Sequence, residues 1–225
     1  MPILDNIQIQ LDFEAVRRRL HLKRDSDLKP VEDLVNIAQA LIEPRVLYKV
    51  SYVEEKRDDG VVVEGLQLIS SVLRKNLDQA ERVFPFVITI GKKISEKLDT
   101  CSDILEKFYL DTIGNVALTQ VRLALKDHLK QKYAIEKTAF MAPGSLPNWP
   151  IEQQKPLFKL LGDVKASIGV KLTESLLMMP AKSVSGIYFP TETSFFSCQL
   201  CPRERCESRK AKYSQKVAEE YGIQK

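Results

Sequence analysis

Apolar residues recur at helical spacing in "DFEAVRRRL" and again in "PVEDLVNIAQALIEP", where Val31, Leu34, Ile37, Ala38 and Leu41 fall on one face. Pro30 suits the first turn of that second helix, and Pro44 closes it. The pattern then changes period. "RVLYKVSYVEEKR" and "GVVVEGLQL" are rich in β-branched and aromatic residues and are separated by "DDG", which predicts antiparallel strands joined by a tight turn. A short helix is expected around "SSVLRKNLDQA", followed by an apolar run of strand length, "VFPFVITIG". A long helical tract covers residues 94–133 with a break near "DTCSD". Its centre, "FYLDTIGNVALTQVRLAL", is apolar almost all round, which predicts a buried central helix, and Gly114 within it permits close approach of another backbone.

The last third is irregular. "APGSLPNWP" holds three prolines and a glycine and predicts an ordered loop. "IEQQKPLFKLLG" predicts a short amphipathic helix that Gly162 caps. "KASIGVKLTESLLMMPAKSVSGIYFP" reads as strand, turn and strand with Pro180 at the turn, and "RCESRKAKYSQKVAEEYG" as a terminal helix carrying Cys206 on its first turns. Repeats, low-complexity stretches and linkers are absent from the sequence.

Composition narrows the function classes. The net charge of +4 is a small difference between 34 basic and 30 acidic residues, which gives no footprint for nucleic acid. No stretch approaches the roughly 20 apolar residues of a membrane span, and no signal peptide opens the chain, so a soluble cytoplasmic protein is expected. Phosphate-binding and nucleophile-elbow motifs are missing. The two histidines are His21 and His128, and the charged setting "KDHLKQK" places His128 on a solvated helix face rather than in a catalytic role.

Two stretches carry chemistry. In "FMAPGSLPNWPIEQQKPLFKLLG" and "IGVKLTESLLMMPAKSVSGIYF", Ala-Pro-Gly, a short helix ending in Leu-Leu, Leu172-Thr173-Glu174-Ser175 and Ser183-Val184-Ser185-Gly186 follow in order. This order, best over residues 140–189, resembles the activation domain of cobalamin-dependent methionine synthase, and "LDTIGNVALTQ" is similar to that family's central helix. The resemblance implies an α+β fold, a twisted antiparallel sheet with long helices. It implies a groove for S-adenosylmethionine and a corrinoid cofactor, cobalamin, held by a partner. There an electron from flavodoxin or ferredoxin and a methyl group from S-adenosylmethionine restore inactive cob(II)alamin. The chain is then expected to serve a corrinoid methionine synthase or methyltransferase in trans, as one component of that system rather than a self-sufficient enzyme. The resemblance transfers ligand contacts to Ala142, Pro143 and Gly144 in the loop, and to Glu174, Ser175, Ser185, Gly186 and Tyr188 in the strand motif. Ser183 matches the motif as well. The competing reading is that the serines hydrogen-bond within the sheet and Gly186 permits a bulge. The family's loop opens with a carboxylate-clamping arginine where this chain has Phe140, and Ser145 replaces an aromatic residue; a bidentate arginine is hard to substitute.

The second stretch is "CQLCPRERC". Cys198, Cys201 and Cys206 offer three thiolates, where closed zinc and most iron-sulfur sites want four ligands. An iron-sulfur cluster, a zinc ion and unliganded thiols are the alternatives, with Cys101, a non-cysteine group or a partner residue as the fourth ligand. A corresponding non-enzymatic reading is a corrinoid-protein docking module or metal-bearing electron relay. The expected organisation is one activation-domain-like unit over residues 1–197 and a Cys-rich tail and helix over 198–225.

Overall fold

The computed structural model describes residues 2–5, 7–192, 195–206 and 209–223. The fold is α+β, built on one curled antiparallel sheet. Its central strand is β6 (Arg82–Thr89), the predicted "VFPFVITIG" run, which is buried along nearly its whole length. A strand covered on both faces reads as a continuous apolar run rather than an alternating one.

One edge of β6 pairs with two strands in succession. β2 (Arg45–Tyr48) takes residues 86–89 and β3 (Ser51–Arg57) takes 82–83. Pro85 falls at the changeover, opposite Lys49: its carbonyl accepts from the Lys49 amide at 3.0 Å, and without an N–H it cannot return the second bond of that pair. β1 (Ile3–Leu4) adds to β2. From β3 the chain returns through the Asp58-Asp59 turn to β4 (Gly60–Val63) and then to β5 (Leu66–Ile69). "GVVVEGLQL" is therefore two strands, because Glu64 and Gly65 both take positive φ, 48° and 71°, as a two-residue hairpin turn demands.

The other edge of β6 pairs with β10 (Ser183–Pro190), which in turn pairs with β7 (Thr138–Met141). Here a glycine is required. A Cβ on Gly186 would lie 2.5 Å from the Met141 carbonyl oxygen and 3.1 Å from the Phe86 ring.

Helices cover one face of the sheet: α1 (Phe13–Leu20), α2 (Asp25–Leu41), α4 (Lys93–Thr100) and α5 (Ile104–Tyr133). Val16, Val31, Leu34, Ala38, Ile113, Ala117, Val121 and Leu125 pack there against Val46, Phe84, Phe86, Ile88 and Tyr188. Asp103 caps α5 by accepting from the Leu105 and Glu106 amides at 2.7 and 3.0 Å. α2 starts one turn before the sequence suggested and holds Pro30 inside it; Val35 faces the core, while Ile37 is 43% exposed. At Gly114 the close neighbour is the side chain of Lys182, not a backbone: Lys182 crosses α5 there to reach Asp111 at 2.7 Å and Asn115 at 2.8 Å.

On the opposite face lie α3 (Ser71–Asn76), the 142–150 loop, α6 (Gln154–Leu160) and the C-terminal segment with α8 (Gln215–Glu220). Trp149, Leu157, Ile187, Phe189, Leu200 and Ala218 share this second core. α7 (Val164–Ile168) occupies "KASI", where a strand was expected; Asp163 caps it and Gly169, at φ 76°, ends it. The second expected strand, after Pro180, is β10, while of the first only β8 (Lys171–Leu172) remains, paired with β9 (Met178–Met179). The terminal helix is likewise shorter than expected. It begins at Gln215, and Cys206 lies in irregular chain before it.

His128 is not simply a solvated residue. Its Nε2 lies 2.9 Å from the Tyr48 hydroxyl, and partial burial, aided by Lys132, holds its pKa below the ordinary 6.5. The unfolded chain therefore takes up a proton that the folded chain resists, and stability falls as pH drops through and below that value. His128→Gln keeps a hydrogen-bonding side chain and should flatten the loss of thermal midpoint between about pH 7 and pH 5, measured by circular dichroism. For the sheet, Gly186→Ala should cost about 1–3 kcal/mol in urea unfolding, from the forced separation of β10 and β7; an unchanged midpoint would contradict the close approach.

Candidate functional site

A groove of about 1420 Å3 opens beside the short edge strand β7. α5 forms one wall with Thr119, Arg122, Leu123 and Lys126. Phe140 on β7 with Val184 and Tyr188 on β10 form the floor, and the Gly144–Leu146 turn, Ile151 and Glu152 form the second wall. The C-terminal segment closes the third side with Phe195, Phe196, Cys198, Cys201, Arg203, Cys206 and Lys210.

The turn is local chemistry. Pro143 presets φ, Gly144 adopts φ 80°, and the Ser145 amide donates to the Ala142 carbonyl at 3.1 Å, the arrangement of a type II turn. The Gly144 amide then donates to Trp149 at 2.7 Å, which pins the loop to the second core.

Aromatic rings and one guanidinium make up the floor. Tyr188 stacks on Phe86 at 5.1 Å and meets Phe140 at 5.6 Å. Arg122 is 9% exposed; its Nη1 donates to the Tyr188 hydroxyl at 3.0 Å, and that hydroxyl donates to the Arg122 carbonyl at 3.1 Å. The guanidinium carbon lies 4.6 Å above the Phe140 ring centre. Burial pushes the Tyr188 hydroxyl above its ordinary pKa although Arg122 opposes the shift, so it stays a neutral donor and acceptor. Lys210 is held below an ordinary lysine, first by desolvation and then by Arg122 and Lys126, with Cys198 opposing.

The C-terminal wall is held by backbone contacts. Arg209 donates to the carbonyls of Cys198 at 3.2 Å, Cys201 at 3.4 Å and Ala211 at 3.3 Å, and also to that of Arg203. The Lys210 amide points at Cys198 Sγ from 3.4 Å.

The predicted site residues divide. Gly144 and Tyr188 line the groove, with Ala142 and buried Pro143 immediately behind the turn. Cys198, Cys201 and Cys206 line the same groove. Ser185 and Gly186 sit in the sheet, where the Ser185 hydroxyl donates to Gln154 at 3.2 Å; Ser183 likewise donates to the Pro180 carbonyl at 2.7 Å. Glu174 and Ser175 are exposed in the tip joining β8 to β9, outside the groove lining. Cys101 lies between α4 and α5, its thiol on the Asp103 carbonyl, and is not part of the groove. Among the described residues no group of three or more His, Cys, Asp or Glu side chains is arranged to hold a metal ion.

Sequence reasoning missed Arg122, Lys126 and Lys210. A signal existed for the first: Arg122 is the one charged residue between Asp111 and Lys126 in an otherwise apolar helix.

A curled antiparallel sheet under a long helix, with a groove at its edge strand, defines the class of fold. Residues 117–214 match the family model described as vitamin B12 dependent methionine synthase, activation domain. That span contains every wall of the groove. The crystal structure of the MetH reactivation domain bound to AdoHcy superposes with a TM-score of 0.55 and 17% identity, over 88% of this chain and 82% of that one. The chain therefore shares the reactivation-domain fold, and the resemblance read from the sequence is confirmed. Among the described residues no helix is long and apolar enough to cross a membrane.

Proposed function

We propose that this groove binds S-adenosylmethionine and that the chain acts in trans to reactivate a cobalamin-dependent methionine synthase or related corrinoid methyltransferase. The observation that carries the reading is convergence. The Gly144 turn, the Phe140–Tyr188 rings and the Arg122 guanidinium meet in one groove, on the fold of a domain whose solved relative holds AdoHcy. The residues fit such a ligand: a flat aromatic floor suits a nucleoside, and the buried Thr138 hydroxyl at the groove has no partner among the described residues.

Reductive methylation takes one electron from a donor such as flavodoxin or ferredoxin and a methyl group from S-adenosylmethionine, releasing S-adenosylhomocysteine; the partner's corrinoid supplies the metal that accepts them. This chain's part is to hold and orient the methyl donor. Ala142, Pro143, Gly144 and Tyr188 do so directly in this reading, while Ser185 and Gly186 set the strand beneath. Glu174 and Ser175, exposed beyond the groove, suit a surface turned toward the partner. Residues 1–197 form the activation-domain-like body and 198–225 the appended Cys-rich segment. Titration calorimetry should show saturable binding of S-adenosylmethionine or S-adenosylhomocysteine with a Kd at or below about 1 mM. Silence at that concentration, with and without a corrinoid methyltransferase, sinks the proposal.

A second reading is favoured by one observation: three cysteines line the groove beside Phe140. Here the chain is a docking module and electron relay carrying an iron-sulfur cluster or zinc on Cys198, Cys201 and Cys206, with one ligand from elsewhere. Protein purified without oxygen should then contain iron with acid-labile sulfide, or zinc. Each Cys→Ser variant should lower the metal content in parallel. Metal-free wild-type protein removes this reading and leaves the first standing.

A further inference from the structure

Arg122 is a buried cation whose local partners are neutral. Its contacts are the Tyr188 hydroxyl at 3.0 Å and the face of Phe140 at 4.6 Å, and no carboxylate pairs with it among the described residues. A guanidinium carries five donors in a fixed fork matched to a carboxylate, and the Tyr188 contact engages only one edge of it. Charge around it is mostly of the same sign, although Asp127 on the same helix also acts on the Tyr188 hydroxyl. Among the described residues the groove lining holds four cationic side chains, Arg122, Lys126, Arg203 and Lys210, against one carboxylate, Glu152. Burying an unbalanced charge is unfavourable unless an anion offsets it.

Phe140 and Arg122 form one device. The ring beneath the guanidinium holds it flat, and Tyr188 fixes its long side chain by a reciprocal pair of hydrogen bonds, Arg122 Nη1 to the hydroxyl and the hydroxyl to the Arg122 carbonyl. A cation immobilised before the ligand arrives loses little conformational entropy on binding. We propose that Arg122, supported by Lys210, is the carboxylate-binding residue of the groove. It holds the amino-acid end of the ligand while the nucleoside end lies toward the Gly144 turn. The central helix thus supplies the cation that the loop position occupied by Phe140 does not.

This assignment rests on the groove being the nucleoside site proposed above, and the test separates the two. S-adenosylhomocysteine and methylthioadenosine share the nucleoside and differ in the amino-acid carboxylate, so the ratio of their affinities reads the anion contact. Wild-type protein should favour S-adenosylhomocysteine by about ten- to a hundredfold. Arg122→Gln should bring the ratio close to one, and Lys210→Gln, at the rim, should lower it by a smaller factor. An equal ratio in wild type and both variants, with S-adenosylhomocysteine still bound, overturns the Arg122 assignment and leaves the groove reading intact. Binding of neither nucleoside to the wild type overturns both. Circular dichroism establishes whether Arg122→Gln is folded; where it is not, Lys210→Gln decides, and an unchanged ratio there counts against the proposal.

Discussion

Everything in the site depends on β10 being paired along both of its edges. β6 takes one edge from Ser183 to Tyr188, and β7 takes the other from Ile187 to Pro190. With both edges engaged the strand cannot slip, because a shift of one residue would turn every side chain to the wrong face. Tyr188 therefore points to the α5 side and Ile187 and Phe189 to the side of Trp149. Gly186 allows this closeness, since the space a Cβ would need is taken by the Met141 carbonyl and the Phe86 ring. The same register commits Ser185 to Gln154, so one strand braces the opposite core while it delivers Tyr188 to the groove.

The second condition is electrostatic. A long helix covering a sheet would normally bury only apolar groups, yet α5 turns Arg122 inward at the point where β7 ends the sheet. There the guanidinium lies over the face of Phe140, on the helix side of the sheet. The π face of Phe140 and the oxygen of Tyr188 both offer it electron density. These partners are weaker than a carboxylate. They fix position without neutralising charge, which is what distinguishes a binding cation from a structural ion pair such as Lys182 with Asp111 on the same helix.

Much of the fold was legible because its signals are local. The apolar run of β6, the turn at Asp58-Asp59 and the break between α4 and α5 are each written within a few residues. Errors arose where tertiary contacts overrule local pattern. "KASI" alternates in a way that suits a strand, but capping by Asp163 and Gly169 closes a single helical stretch around it. The charged "RCESRKAK" suggests a helix, yet Arg209 within it donates to the backbone carbonyls of Cys198, Cys201, Arg203 and Ala211, tying it to the chain on either side, and the described residues there are irregular. Of the site, the Gly144 turn was legible from Pro-Gly chemistry and Tyr188 from its motif. Glu174 and Ser175 share that motif in sequence but stand at a hairpin tip, because contiguity along a chain does not fix which way a turn projects. Arg122 depended on a contact across 66 positions of sequence with Tyr188, and no window of local reading contains both.

The groove is consequently stiff on two sides and irregular on the third. α5 and β10 belong to the buried cores, whereas the wall from Cys198 to Lys210 is anchored mainly by Leu200, by Arg209 and by α8 packed behind it. Preorganised groups on rigid elements favour a defined ligand geometry, while a wall of irregular chain can accommodate a ligand's outline at low cost. The thiols and the cation thus stand on walls of different build. Arg122 stands on a regular helix packed into the core, and the three cysteines on irregular chain.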